Sequence, residues 1–331
     1  VSRIKVLEVA AASDAEACAQ AAAIRDGLDP ARFDATFVDA DAHVKLRRLF
    51  AEQKPDVVHA HGPKAGAAAR SAAKSAGVAK IFYSPRGYRF LRTNRSAAAR
   101  AMDWAFEKAS AKIGAVIAVS TAEAEAARRL GAKHVSVVFD AHLGGFPEPK
   151  AHDGLVVGSL GEMTRAQDPD AWVLLAQRLC DSRNGLSCLW IGGGEDEAKA
   201  RTDLTNMNLL MKVEVTGAIP ADAARERLRG LDLFVRYARA GSPSGQLLDA
   251  MACGLPVVAS DLPAHRDLVE DGVTGYLVKN EVELLERCQA LLDDDALRAR
   301  LGAAGRERVR SVFSREKTLA ELSHLYSGNV E

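Results

Sequence analysis

Short β-branched runs alternate with longer helical patterns along nearly the whole chain. Candidate strands in the first half are Ile4–Val9, Phe33–Val38, Val57–His59, Lys80–Tyr83, Val116–Val119 and Val135–Phe139. Ala15–Asp26, Lys64–Ala76, Ser96–Ala111 and Thr121–Leu130 read as the helices between them. Thr121 is the expected N-cap of the last, and Gly131 its stop. Parallel strands need a crossover connection, which is usually a helix. Repeated strand–helix–strand units therefore predict a parallel sheet covered on both faces.

Gly144-Gly145-Phe146-Pro147-Glu148-Pro149 interrupts the alternation, and this density of glycine and proline marks a connection. A second series follows, with strands at Leu155–Leu160, Ser187–Ile191, Val213–Val215, Leu231–Val235 and Val257–Ala259. Its helices are expected at Pro169–Cys180, Glu195–Leu204, Ala221–Arg229, Gln246–Ala252 and Val282–Leu292. Residues 293–326 read as consecutive charged amphipathic helices. The expected organisation is an N-terminal Rossmann-like domain at 1–145, a linker at 146–150 and a second Rossmann-like domain at 151–305. A helical tail at 306–331 is expected to pack back on the first domain. Two doubly wound α/β domains facing each other would bind ligands at the C-terminal strand edges, in a central cleft.

Composition narrows the function. With 48% hydrophobic and 27% charged residues, the 331-residue chain is an ordinary globular protein. Five cysteines without a C-x-x-C pair suggest neither a zinc cluster nor a disulfide framework, and no metal is expected. The opening residues break into charge too early for a signal peptide, and no apolar run spans a bilayer, so a cytoplasmic location is expected.

The net charge of zero hides an asymmetry. Residues 1–150 carry 23 basic and 16 acidic side chains, and residues 151–331 carry 21 and 28. Eleven basic residues and only Asp103 and Glu107 lie between Lys64 and Lys112. Interleaved Phe82, Tyr83, Tyr88, Phe90, Leu91 and Trp104 suit a segment at a lipid interface. The alternative is a solvated face with an aromatic core behind it. A uniformly basic nucleic-acid surface is not expected.

The segment 241–260, GSPSGQLLDAMACGLPVVAS, places small residues before a helix whose first N–H groups could accept an anion. It resembles the nucleotide-sugar motif of group 1 (family 4) glycosyltransferases, which have the GT-B fold. Other segments agree in order: PDVVHAHG at 55–62, IFYSPRGYRF at 81–90, AVIAVST at 115–121, LWIGGGE at 189–195 and DLVEDGVTGYLV at 267–278.

The resemblance implies donor contacts at Gly245, Gln246, Leu247 and Asp249, with the nucleotide base near Gly217, Ala218 and Ile219. It also exposes departures. Glu162 and Gln167 stand where the family places an Arg and a Lys against the donor diphosphate. Gly241 and Asp249 stand at its paired glutamates, and Arg86 at the histidine near the reacting sugar. Like charges 4 Å apart cost about 4 kcal/mol at an effective dielectric near 20, so Glu162 opposes a diphosphate. Arg165, Arg236 and Arg239 are nearby candidates to compensate. His61, Arg86, Arg89, Arg92 and Arg95 are acceptor or membrane candidates.

The resemblance implies a retaining enzyme that moves a sugar from a nucleotide donor to a lipid-linked or surface-polysaccharide acceptor, without a further cofactor. The departures imply an alternative: a catalytically inactive scaffold in glycan assembly that binds a partner enzyme such as a glycosyltransferase, a glycan or a membrane.

Overall fold

The computed structural model describes residues 3–41, 43–91, 96–239 and 245–328, with side chains 43–45 left aside. The chain divides into two compact units, Val1–Leu143 with Val312–Glu331, and Gly144–Ser311.

The first unit holds a six-stranded parallel sheet: β1 (Ile4–Ala10), β2 (Phe33–Asp39), β3 (Val57–His61), β4 (Lys80–Ser84), β5 (Ala115–Ala118) and β6 (Val135–Val137). Their order is β2-β1-β3-β4-β5-β6. The register places Glu8 beside His59 and Ala10 beside His61. Helix Thr121–Leu130 is capped one residue earlier than expected: Ser120 accepts from Glu123 N–H, and Thr121 is the first helical residue. Gly131 ends it at φ +94, a left-handed conformation that glycine adopts without penalty. The helix His43–Gln53 was not anticipated from its sequence pattern.

The second unit holds β7 (Leu155–Leu160), β8 (Leu186–Ile191), β9 (Val213–Val215), β10 (Leu233–Arg236), β11 (Val257–Ser260) and β12 (Gly275–Val278). The order β12-β11-β10-β7-β8-β9 is the doubly wound order with its switch point between β7 and β10. β12 escaped the sequence reading because only Tyr276–Val278 forms an apolar run, and that run opens on a glycine.

Residues 146–150 are fastened to the second unit. Arg306 donates to the Phe146 carbonyl at 2.7 Å, and Arg229 to the Glu148 carbonyl at 2.8 Å. Helix Asp295–Val312 runs through residue 306 without a break. The next helix, Arg315–Ser327, buries Leu322 and Tyr326 against Val6, Phe33, Val57 and Phe82 of the first unit. No described helix is long and apolar enough to cross a membrane.

Candidate functional site

In the first unit, β1 and β3 diverge in connection at the sheet's switch point, where a doubly wound fold binds its ligands. Buried polar side chains gather there. Glu8, on β1, lies 2.5 Å from His61 Nε2 and 2.8 Å from the Tyr326 hydroxyl. His59 Nδ1 lies 2.6 Å from the same hydroxyl, and its Nε2 lies 2.8 Å from Ser84 Oγ. Ser84 in turn donates to the Ile117 carbonyl at 2.8 Å. Glu8, His59 and His61 are each at most 1% exposed.

Proton counting fixes the state of this chain of groups. Ser84 uses its own proton on Ile117, so His59 Nε2 carries a proton and Nδ1 of the neutral ring is an acceptor. One phenolic proton cannot serve both His59 Nδ1 and Glu8. A second proton must therefore sit on Glu8 or on His59. Burial pushes the Glu8 carboxyl up to about 8, against smaller opposing effects of the Tyr326 hydrogen bond and Arg86. Burial also pulls both histidines well below their usual value. All three shifts favour protonated Glu8 beside neutral rings.

Glu8, His59 and His61 also form the one cluster of metal-ligand types identified among the described residues. Arg86 tests that chemistry. Its guanidinium donates to His61 Nδ1 at 3.2 Å, which leaves the ring proton on Nε2, aimed at Glu8. A ligating Nε2 would need a lone pair there, so the cluster fits a hydrogen-bonded chain better than a cation site.

Arg86 itself is paired with Asp140 and holds φ +51, an uncommon left-handed conformation for a residue with a side chain. Glu123 clamps this turn by accepting from Gly87 N–H at 2.6 Å and Val119 N–H at 2.8 Å. Burial raises the Glu123 carboxyl to about 7. His61 and Arg86 are thus interior groups and offer no charge to a membrane surface. Arg89 is half-buried and faces Asp103 at 3.8 Å. Arg92, Arg95 and Gly241 lie outside the described residues.

The helix Ala97–Ser110 is inverted. Its buried positions are Glu107 and Ser110, while Met102, Trp104 and Phe106 are 55%, 42% and 64% exposed. Glu107 accepts from buried Arg70 at 2.9 Å and from Tyr83 at 2.8 Å, so the polar face is the docked one. Phe82, Tyr83 and Tyr88, expected at an interface, are buried instead. Apart from Leu91 and Trp104, the outward apolar set comprises residues the sequence pattern did not single out.

In the second unit, Glu162 and Arg165 are exposed and Gln167 is half-buried, with an unpartnered Oε1. Arg239 is held by Asp168 through two hydrogen bonds of 2.5 and 2.9 Å. Asp168 also caps the helix Pro169–Ser182 from a left-handed φ of +48. Helix Gly245–Ala252 carries half-buried Gln246 and Asp249, whereas Leu247 is wholly buried and turns its side chain into the core. Gly217 and Ile219 are half-buried and Ala218 is exposed, after β9.

Known proteins share this architecture. A family model for glycosyl transferases group 1 matches residues 146–308, and one for a glycosyl transferase 4-like domain matches residues 9–139. The fold is GT-B, and the chain belongs to the group 1 glycosyltransferases. Phosphatidyl-myo-inositol mannosyltransferase of Mycobacterium leprae is 36% identical over 125 residues, covering 37% of this chain and 33% of that protein. Poly(ribitol-phosphate) alpha-N-acetylglucosaminyltransferase of Staphylococcus aureus is 23% identical over 175 residues, covering 52% and 35%. The chain spans between about a quarter and a half of the length of the curated relatives it matches. Among solved structures, Anabaena Alr3699/HepE in complex with UDP gives a TM-score of 0.79 at 18% identity, over 98% of this chain and 100% of that one. Sucrose-phosphate synthase from Thermosynechococcus elongatus also gives 0.79, at 17% identity over 98% of each chain. At such identities the likeness is one of fold.

Proposed function

We propose that this chain transfers a sugar, with retention, from a nucleotide-sugar donor to a lipid-linked or surface-polysaccharide acceptor at the cytoplasmic face of a membrane. The observation that carries this is the match of both halves, in order, to the two domain models of one glycosyltransferase family. Two relatives are named for phosphate-bearing acceptors, a phosphatidylinositol and a poly(ribitol phosphate). The basic window 64–112 suits such an acceptor or an anionic lipid surface. Exposed Met102, Trp104 and Phe106 within it suit insertion at the headgroup level.

Transfer breaks an anomeric C–O bond and leaves negative charge on the departing diphosphate, which oriented cations and N–H groups stabilise. Asp249 would receive ribose hydroxyls, and the segment Gly217-Ala218-Ile219 would lie against the base. Arg86 is a permanent cation paired with Asp140, so it would not exchange a proton with the substrate. No metal or further cofactor is assigned to the step. The test is turnover of a panel of nucleotide sugars, slow hydrolysis included. A folded protein that turns over none of them overturns the transferase reading.

Glu162 at a cation position, with Arg239 held by Asp168, favours a second reading. In it the chain is an inactive scaffold that binds a partner glycosyltransferase. Calorimetry with UDP, GDP and ADP separates the two. Micromolar binding that Asp249→Ala abolishes would count against the scaffold.

A further inference from the structure

Arg236 ends β10, and β10 meets β7 at the switch point of the second sheet. It is 7% exposed. Among the described residues it has one hydrogen bond, NH1 to the Leu160 carbonyl at 3.0 Å, and no carboxylate partner. Its Nε is buried and unpartnered. A buried cation with neither a counter-charge nor a full set of acceptors is costly, and a native fold retains one for a reason. Burial alone pulls its acidity to about 10.

The surroundings keep this charge uncompensated. His265 is buried nearby and is pushed down to about 4, chiefly by burial, so its neutral ring adds neither a second positive charge nor a counter-charge beside the guanidinium. Gly161 follows β7 at φ +143, and a Cβ there would lie 2.7 Å from Arg236 NH1. The guanidinium thus occupies the space that a side chain at 161 would fill, beside the turn carrying Glu162. Of the other nearby arginines, Arg239 is already neutralised by Asp168, and Arg165 is exposed on the surface.

We infer that Arg236 is the cation that receives the diphosphate of the nucleotide donor in this chain, in place of the charges replaced at Glu162 and Gln167. The inference rests on the donor-binding reading above. A guanidinium offers forked N–H donors that match phosphate oxygens, and an anion there would supply the acceptors and counter-charge that Arg236 lacks.

The experiment is calorimetry and thermal unfolding of wild type, Arg236→Met and Arg236→Lys with UDP, GDP, ADP and inorganic pyrophosphate. Wild type is expected to bind at least one nucleoside diphosphate, and Arg236→Met to bind it about 10- to 100-fold more weakly. The ligand-free Tm of Arg236→Met should equal or exceed that of wild type, because an uncompensated buried charge has been removed. A structural arginine would instead lower Tm and leave affinity unchanged, which overturns the inference while the donor reading stands. Pyrophosphate binding lost in Arg236→Met, with no nucleoside diphosphate bound, keeps the anion site and overturns the donor reading. Binding of neither overturns both. Should Arg236→Met fail to fold, Arg236→Lys decides: weaker binding supports the site, and unchanged affinity overturns it.

Discussion

Glu8 and His61 meet at 2.5 Å inside the first sheet, on adjacent parallel strands and away from solvent. Both groups are buried, so no water competes for the contact. Glutamine mimics the protonated acid, with an N–H2 toward Tyr326 and an oxygen toward His61. The folded value of about 8 lies above the ordinary 4.5, so the native state holds a proton that the unfolded chain releases. This contribution is fully present below 4.5 and is lost as pH rises through 8. Tm of wild type should therefore fall more steeply than Tm of Glu8→Gln between about pH 5 and 9. Parallel curves would show that Glu8 is ionised in the fold. Glu8→Ala should cost about 1–3 kcal/mol, since it leaves the His61 Nε2 proton buried without an acceptor while Tyr326 keeps His59 as a partner.

Tyr326 bridges Glu8 and His59 from a helix late in the chain. Tyr326→Phe keeps the ring packing and removes both hydrogen bonds. A loss of about 1–3 kcal/mol is expected by urea unfolding. A neutral result would mean that the hydroxyl is dispensable to the buried chain of protons.

The inverted helix Ala97–Ser110 separates anchoring from display. Glu107→Ala leaves Arg70 buried and uncompensated, and should cost about 3–5 kcal/mol. Phe106→Ser should change stability by no more than about 0.5 kcal/mol, because Phe106 is exposed. It should nevertheless reduce cosedimentation with anionic phospholipid vesicles. Equal vesicle binding by wild type and Phe106→Ser would remove this helix from the membrane proposal.

Restoring charge at the donor positions is a gain-of-function test. Glu162→Arg with Gln167→Lys should tighten UDP, GDP or ADP binding by about tenfold or more, given the strength of charge-assisted phosphate contacts. Calorimetry reads it directly. Unchanged affinity would show that side chains at 162 and 167 do not reach the bound diphosphate.

The alternation of apolar runs and helical stretches was enough to foresee the two parallel sheets, because crossover connections leave parallel strands few other arrangements. The polar interior was harder to read. Glu8 sits among Val6, Leu7, Val9 and Ala10 of its strand, and Arg236 follows Leu233, Phe234 and Val235, each a charge set within an apolar run. Such a charge is the available signal of a buried polar group, but its partners come from distant positions. Tyr326 lies 318 residues from Glu8, and nothing in a helical period of the tail announces which face meets the first sheet. The aromatic residues near Tyr83 misled for a related reason: composition places them near a basic window without saying which side faces inward. Only the packing of Glu107 on Arg70 reverses the helix and exposes Phe106.

The shared ownership of the first unit has a consequence for synthesis. Residues 144–311 form one uninterrupted stretch, whereas the first unit needs both ends of the chain. A ribosome delivers residues from the N-terminus onward, at about 5–20 per second. The second unit can complete its core as soon as its last residue emerges. The first waits with Glu8, His59 and the apolar floor beneath them uncovered until Tyr326 arrives. Of the two units, the one whose strands come first in the chain is thus the one finished last, and until then its apolar floor lacks Leu322 and Tyr326.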